Sequence, residues 1–140
     1  MTRGVEFIKS VLTTVLSSPN FGQVLKNLEI VSAGSGNCKA QLRVAQEHLN
    51  MGGTMHGGFT TTLIDCVSTY ATMTNPNGVP GVSVDLMISF MKPALPGELV
   101  TIDARTVRIG KTLVFLSVDV TKNDGKDMIA HGRHTKFIAK

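Results

Sequence analysis

The chain has 140 residues, 42% hydrophobic and 5% aromatic, and carries a formal net charge of +4 from 14 basic and 10 acidic side chains. That is one domain with one core of ordinary size, too apolar to be a disordered chain. Its basic residues are too scattered, and its aromatics too few, for a nucleic-acid groove.

No apolar run approaches the roughly 18 residues needed to span a bilayer, and the amino terminus lacks the basic and apolar regions of a secretion signal. The chain therefore reads as soluble and not secreted, with Cys38 and Cys66 as reduced thiols rather than a disulfide framework. From Gly4 to Ser18, Val5, Ile8, Leu12 and Val15 share one stripe, which predicts an amphipathic helix stopped near Pro19. Strands are predicted at Val24 to Val31 and at Cys38 to Val44, where apolar and polar residues alternate. Gly34-Ser35-Gly36-Asn37 between them predicts a hairpin turn.

From Gly57 or Gly58 to about Met73 the chain is apolar nearly all round, with small hydroxyl residues between, so this helix must sit inside something. Everything afterwards reads as strand. In Val82 to Phe90, alternation puts Val82, Val84, Leu86, Ile88 and Phe90 on one face and Ser83 and Asp85 on the other. Further strands follow at Leu99 to Val107, Thr112 to Thr121 and Met128 to Ile138, set apart by Gly110-Lys111 and by Asn123-Asp124-Gly125. An α+β domain spanning residues 1–140, its antiparallel sheet curled round one central helix, satisfies this order because the helix is then buried on every side.

Between His48 and Met91 the only formal charges are Asp65 and Asp85. His56-Gly57-Gly58 opens the central helix, where unpaired N–H groups and the positive end of the dipole face an incoming electronegative atom. Glycine leaves the approach open. Such a terminus suits an oxyanion hole, and Asp65, if buried, would have its pKa raised toward the range useful to a base. At about 1.5 Å of rise per residue, Gly57 and Asp65 stand roughly 12 Å apart, whereas groups acting on one carbon lie about 3 Å from it. If both serve one substrate, two copies of the helix must lie antiparallel across a two-fold axis. The expectation is an obligate dimer with two equivalent sites in its interface.

Each residue also has a purely structural reading. The glycines could begin a tightly packed helix, and His56 could be a satisfied core histidine. Asp65 could belong to a network with nearby Thr or Ser. Asn50 could only form a turn, and Ser83 could only fit a tight sheet. Metal and thiol chemistry find less support. His131 and His134, three apart on a strand, point to opposite faces and share no zinc ion. Cys66 lacks a local basic activator.

The stretches "HLNMGGTMHGGFTTTLID", "GVSVDLMISFMKPALPGE", "IGKTLVFLSVDV" and "IAHGRHTKF" resemble the hotdog-fold acyl-CoA thioesterases over nearly the whole chain. The resemblance implies a hotdog dimer paired into a homotetramer that hydrolyses fatty acyl-CoA to free acid and CoA, with no metal or separate cofactor. It implies that the Gly57 N–H and Asn50 polarise the thioester carbonyl and that Asp65 of the partner subunit activates water. Ser83 would orient that water and His56 would brace the site. CoA would run along Phe90, Met91, Lys92, Pro93, Ala94 and Leu95. It would also meet Arg108, Ile109, Gly110, Lys111, Thr112 and Leu113, with Ser83 and Asp85 alongside. Lys92, Arg108 and Lys111 are then candidates for phosphate contact, or else solvated surface. Phe137 departs from the pattern, since some relatives have a histidine there near the nucleotide. The resemblance also implies residence in cytosol or mitochondria and a partner in lipid handling such as a phosphatidylcholine transfer protein. A hotdog dehydratase or hydratase, and a non-catalytic acyl-CoA or lipid carrier, are the rival functions.

Overall fold

In the computed structural model of the protein, which describes residues 3–139, strict alternation becomes the inner wall of a sheet. Cys38, Ala40 and Leu42 of β2 (Asn37–Arg43) are all but fully buried, while the residues between them are less so. The same period runs through β4 (Leu99–Ile109), where Val100, Ile102 and Ala104 face the core, and β5 (Leu113–Lys122), where Val114, Leu116, Val118 and Val120 do. With β1 (Glu29–Gly34), β3 (Val82–Phe90) and β6 (Asp127–Phe137) they form one sheet in the order β1-β2-β4-β5-β6-β3, every pair antiparallel.

Helix α1 (Val5–Leu16) buries Ile8 and Leu12 and packs against β1. Helix α2 (Gly57–Met73) packs on one face of the sheet against β2, β4, β5 and β6, its Leu63, Ile64, Val67 and Ala71 fully buried. Its hydroxyl residues cost little there, because Thr61, Thr62 and Thr72 each donate to the carbonyl four residues back. The approach to β6 is close. A Cβ on Gly132 would stand 2.9 Å from Cγ2 of Ile64, so only glycine fits there without movement. The expected hairpin turn is present, with Ser35 and Gly36 at φ 52° and 83°, the left-handed pair that a two-residue turn needs.

Three expectations are corrected. The stretch from Val24 to Val31 is a strand only in its second half. Phe21–Leu25 is a 3-10 helix, because the Asn20 side chain accepts the Gly22 N–H and caps it. In β3, a bulge between Ser83 and Asp85 breaks the alternation. Ser83 pairs with inward-facing Lys136 and, although itself exposed, reaches the buried His134 with its hydroxyl, while Asp85 pairs with Thr135 and faces out. Nor is the face that carries Val82, Val84 and Phe90 a buried one in the single chain. They are 68, 58 and 57% exposed, because β3 is the last strand of the sheet and pairs on one side only.

Helix α2 is also not buried on every side. Gly58 is exposed, and Thr62, Asp65 and Thr69 are partly so, at the spacing of one helical face. In a single chain that stripe is open.

Candidate active site

The loop before α2 is fixed from both ends. The His56 N–H donates to the His48 carbonyl at 2.8 Å, and the Met55 N–H donates to the Ala94 carbonyl at 2.8 Å. His48 is itself buried, stacked on Phe59 with ring centroids 4.4 Å apart, and its Nδ1 accepts the Ala45 N–H. Asn50 is held by Thr54. Its amide donates to the Thr54 hydroxyl at 3.0 Å and accepts the Thr54 N–H at 3.2 Å.

At the head of the helix the donors divide. His56 is exposed rather than in the core, and its Nδ1 accepts the Gly58 N–H at 2.8 Å as the N-cap. The Thr60 N–H goes to the His56 carbonyl. Among the described residues no hydrogen bond takes up the Gly57 N–H. Gly57 lines a cavity of about 280 Å³ with Thr60, Phe90, Met91, Pro93 and Ala94. The ring of Phe90 lies against Gly57, where a Cβ would meet it at 3.5 Å.

Asp65 lies two turns further along α2 and is not buried in the single chain. Its side chain is 46% exposed, so the burial expected of it is not reached there. No hydrogen bond among the described residues engages its carboxylate. The nearby Ser68 and Thr69 hydroxyls donate to its backbone carbonyl instead, so they build no network around the acid. Its nearest charged or chargeable neighbour is His134, with Nε2 at 3.8 Å from Oδ1.

His134 is the residue that alternation alone passes over. It sits on the inner face of β6, fully buried, between the Ser68 hydroxyl on Nδ1 and the Ser83 hydroxyl on Nε2, each at 2.7 Å. Burial first, and then the nearby Lys136, pushes the imidazole down to about 4, against the opposing pull of Asp65 and Asp85. Lys136 is inward too, its Nζ donating to the Thr69 hydroxyl at 2.7 Å, and burial lowers its pKa. The available signal was the spacing of two along β6, which sets His134 and Lys136 on the same inward face as Ala130 and Gly132. His131 points the other way, to Asp119 at 2.7 Å, so the two histidines lie on opposite faces of β6, as their spacing implies.

The segments expected to carry CoA fall in two places. Phe90 to Ala94 line the cavity at Gly57, whereas Arg108 lines a second cavity of about 590 Å³ with Asp85, Phe115, Arg133 and His134. Leu95 is exposed, and its N–H is tied to Glu98. Gly110 closes the β4–β5 turn onto Leu113, Ile109 and Lys111 are exposed, and the Thr112 carbonyl accepts the Ile138 N–H. Of the phosphate candidates, Lys92 already pairs with Asp127 at 2.7 Å. Lys136 is the basic neighbour of Cys66 that the sequence does not reveal. Burial still dominates and pushes the thiol up to about 11.

A six-stranded antiparallel sheet wrapped on a long helix, with a free N–H at the helix head and an acid along its open face, is the hotdog architecture of thioester chemistry. Residues 52–129 match the family model described as the thioesterase superfamily, and the chain belongs to that family. It is 42% identical to human acyl-coenzyme A thioesterase 13 over 138 residues, covering 99% of both chains. The crystal structure of zebra fish thioesterase superfamily member 2 superposes with a TM-score of 0.93 at 41% identity, covering 96% of this chain and 98% of that one. A hypothetical thioesterase protein of Streptococcus pneumoniae, solved with coenzyme A, gives a TM-score of 0.77 at 27% identity, covering 81% and 87%.

Proposed function

We propose that the protein hydrolyses fatty acyl-CoA thioesters, favouring medium to long chains, at two equivalent sites in a dimer. One observation carries this reading: the free Gly57 N–H and the uncommitted Asp65 carboxylate stand on one helix about 12 Å apart. Among the described residues no hydrogen bond engages either group, and one thioester carbon cannot meet both. Packing two copies of the stripe Gly58, Thr62, Asp65 and Thr69 antiparallel would bring each chain's Gly57 toward the other's Asp65. The exposed edge of β3, with Val82 and Val84, would join in the same assembly and be covered by it.

In that site the Gly57 N–H and the Asn50 amide receive the thioester oxygen. Water adds to the carbonyl carbon and gives its proton to the partner's Asp65, while Ser83 orients it. The C–S bond then breaks, the thiolate takes up the proton, and acid and CoA leave. His56 supports the site as the cap of α2. Phe90 to Leu95 run beside the thioester, while Arg108 to Leu113, with Asp85, meet the nucleotide end. Pairing of dimers into a homotetramer, a place in lipid metabolism in cytosol or mitochondria, and contact with a phosphatidylcholine transfer protein belong to the same reading through its relatives.

The test is hydrolysis across an acyl-CoA chain-length series by the parent and by Asp65→Asn. The expected result is turnover that peaks within the series and falls roughly 100-fold or more in the variant. Tight acyl-CoA binding with no turnover by either protein would make it a carrier.

A further inference from the structure

Ser68 Oγ lies 2.6 Å from the Ile64 carbonyl oxygen and 2.7 Å from Nδ1 of His134. Two oxygens that close must share a proton, and serine has only one to give. Ser68 therefore donates to Ile64, and its bond with His134 requires the proton to sit on Nδ1. A neutral imidazole then has a bare Nε2, and the 2.7 Å contact with Ser83 is closed by the Ser83 proton. The pairing with Asp65 at 3.8 Å is too long for a hydrogen bond and does not reverse this order.

We propose that Ser68 and His134 form a one-way hydrogen-bond relay that commits the Ser83 proton inward, so that Ser83 faces the site as a pure acceptor and fixes one O–H of the hydrolytic water. Ser68 and His134 are positioning residues, acting through Ser83. The inference rests on the hydrolase reading for the role of that water, but the direction of the relay does not depend on it. It also assigns Ser83 to the same chain as the Asp65 it works with, because His134 stands between them.

Ser68 makes the test sharp, since among the described residues its hydroxyl bonds only to His134 and helix carbonyls. In Ser68→Ala nothing holds the proton on Nδ1, and the imidazole is free to present Nε2–H to Ser83. The expected result is a kcat lowered roughly five- to tenfold with KM unchanged, of the order expected from losing one orienting hydrogen bond. In His134→Gln one amide can still accept from Ser83, and its kcat should exceed that of His134→Ala. Nitrogen NMR of ring-labelled protein at pH 7 reads the relay directly, with Nδ1 protonated and Nε2 bare in the parent and mixed tautomers in Ser68→Ala. A protonated Nε2 in the parent, or Ser68→Ala with unchanged kcat and tautomer, overturns the proposal. A protein with the assigned tautomer that hydrolyses no thioester would sink the hydrolase reading and leave the relay standing.

Discussion

Oδ1 of Asp65 and Nε2 of His134 lie 3.8 Å apart, close enough to feel one another's charge and too far to share a proton. The imidazole stays neutral there because it is buried beside Lys136. Its proton affinity in the fold, about 4, is below the 6.5 of the unfolded chain, so between those values only the unfolded chain takes up the proton. Its contribution to stability is therefore complete above about pH 6.5 and is lost as the pH falls toward 4, by roughly 3 kcal/mol in all. Urea midpoints between pH 7 and 4.5 should fall more steeply for the parent than for His134→Gln. The other ionisable groups are common to both proteins, so the comparison isolates His134. Equal slopes would show that His134 is already protonated in the fold.

The edge of β3 gives a second expectation. Val84→Lys places a charge in the middle of the exposed apolar edge, where a partner strand would have to cover it. Sedimentation should show folded monomers, and thioester turnover should fall to background because no chain holds a complete site. A dilute monomer with parental kcat would exclude the shared site.

Gly132→Ala tests the seat of α2 on the sheet. The added methyl meets Cγ2 of Ile64 at 2.9 Å and Cδ1 at 3.2 Å, and Ile64 is fully buried, so the clash has no outlet to solvent. Overpacking of this kind costs about 1–3 kcal/mol. Ile64→Ala should relieve it, so that the double variant loses less in denaturation experiments than the sum of the two single ones.

Cys66 offers a chemical check. Burial, reinforced by Asp65 and only partly offset by Lys136, holds its thiol up to about 11, and Cys38 stands at about 12. Native protein at pH 8 should resist thiol alkylation, and both cysteines should react together on unfolding. Rapid modification of native Cys66 would show that Lys136 activates it.

Periodicity by itself determined the elements. The spacing of Phe59, Leu63, Ile64, Val67, Tyr70 and Ala71 fixes the helical form of α2 and the face it turns to the sheet locally, as it does the alternation of β2, β4 and β5. The glycine pair at 57–58, the lone Asp65 and their separation along one helix were equally legible, because helical rise is a local quantity. Only the tertiary structure decided which polar residues meet. The bulge that lets the Ser83 hydroxyl reach inward, and the register that sets it against His134 and Ser68, come from pairing β3 with β6 across about fifty residues of chain, and no local pattern encodes a one-residue shift. The 46% exposure of Asp65 likewise follows from where the sheet ends, since burial is set by what lies across the open face of α2 and not by its own neighbours in sequence.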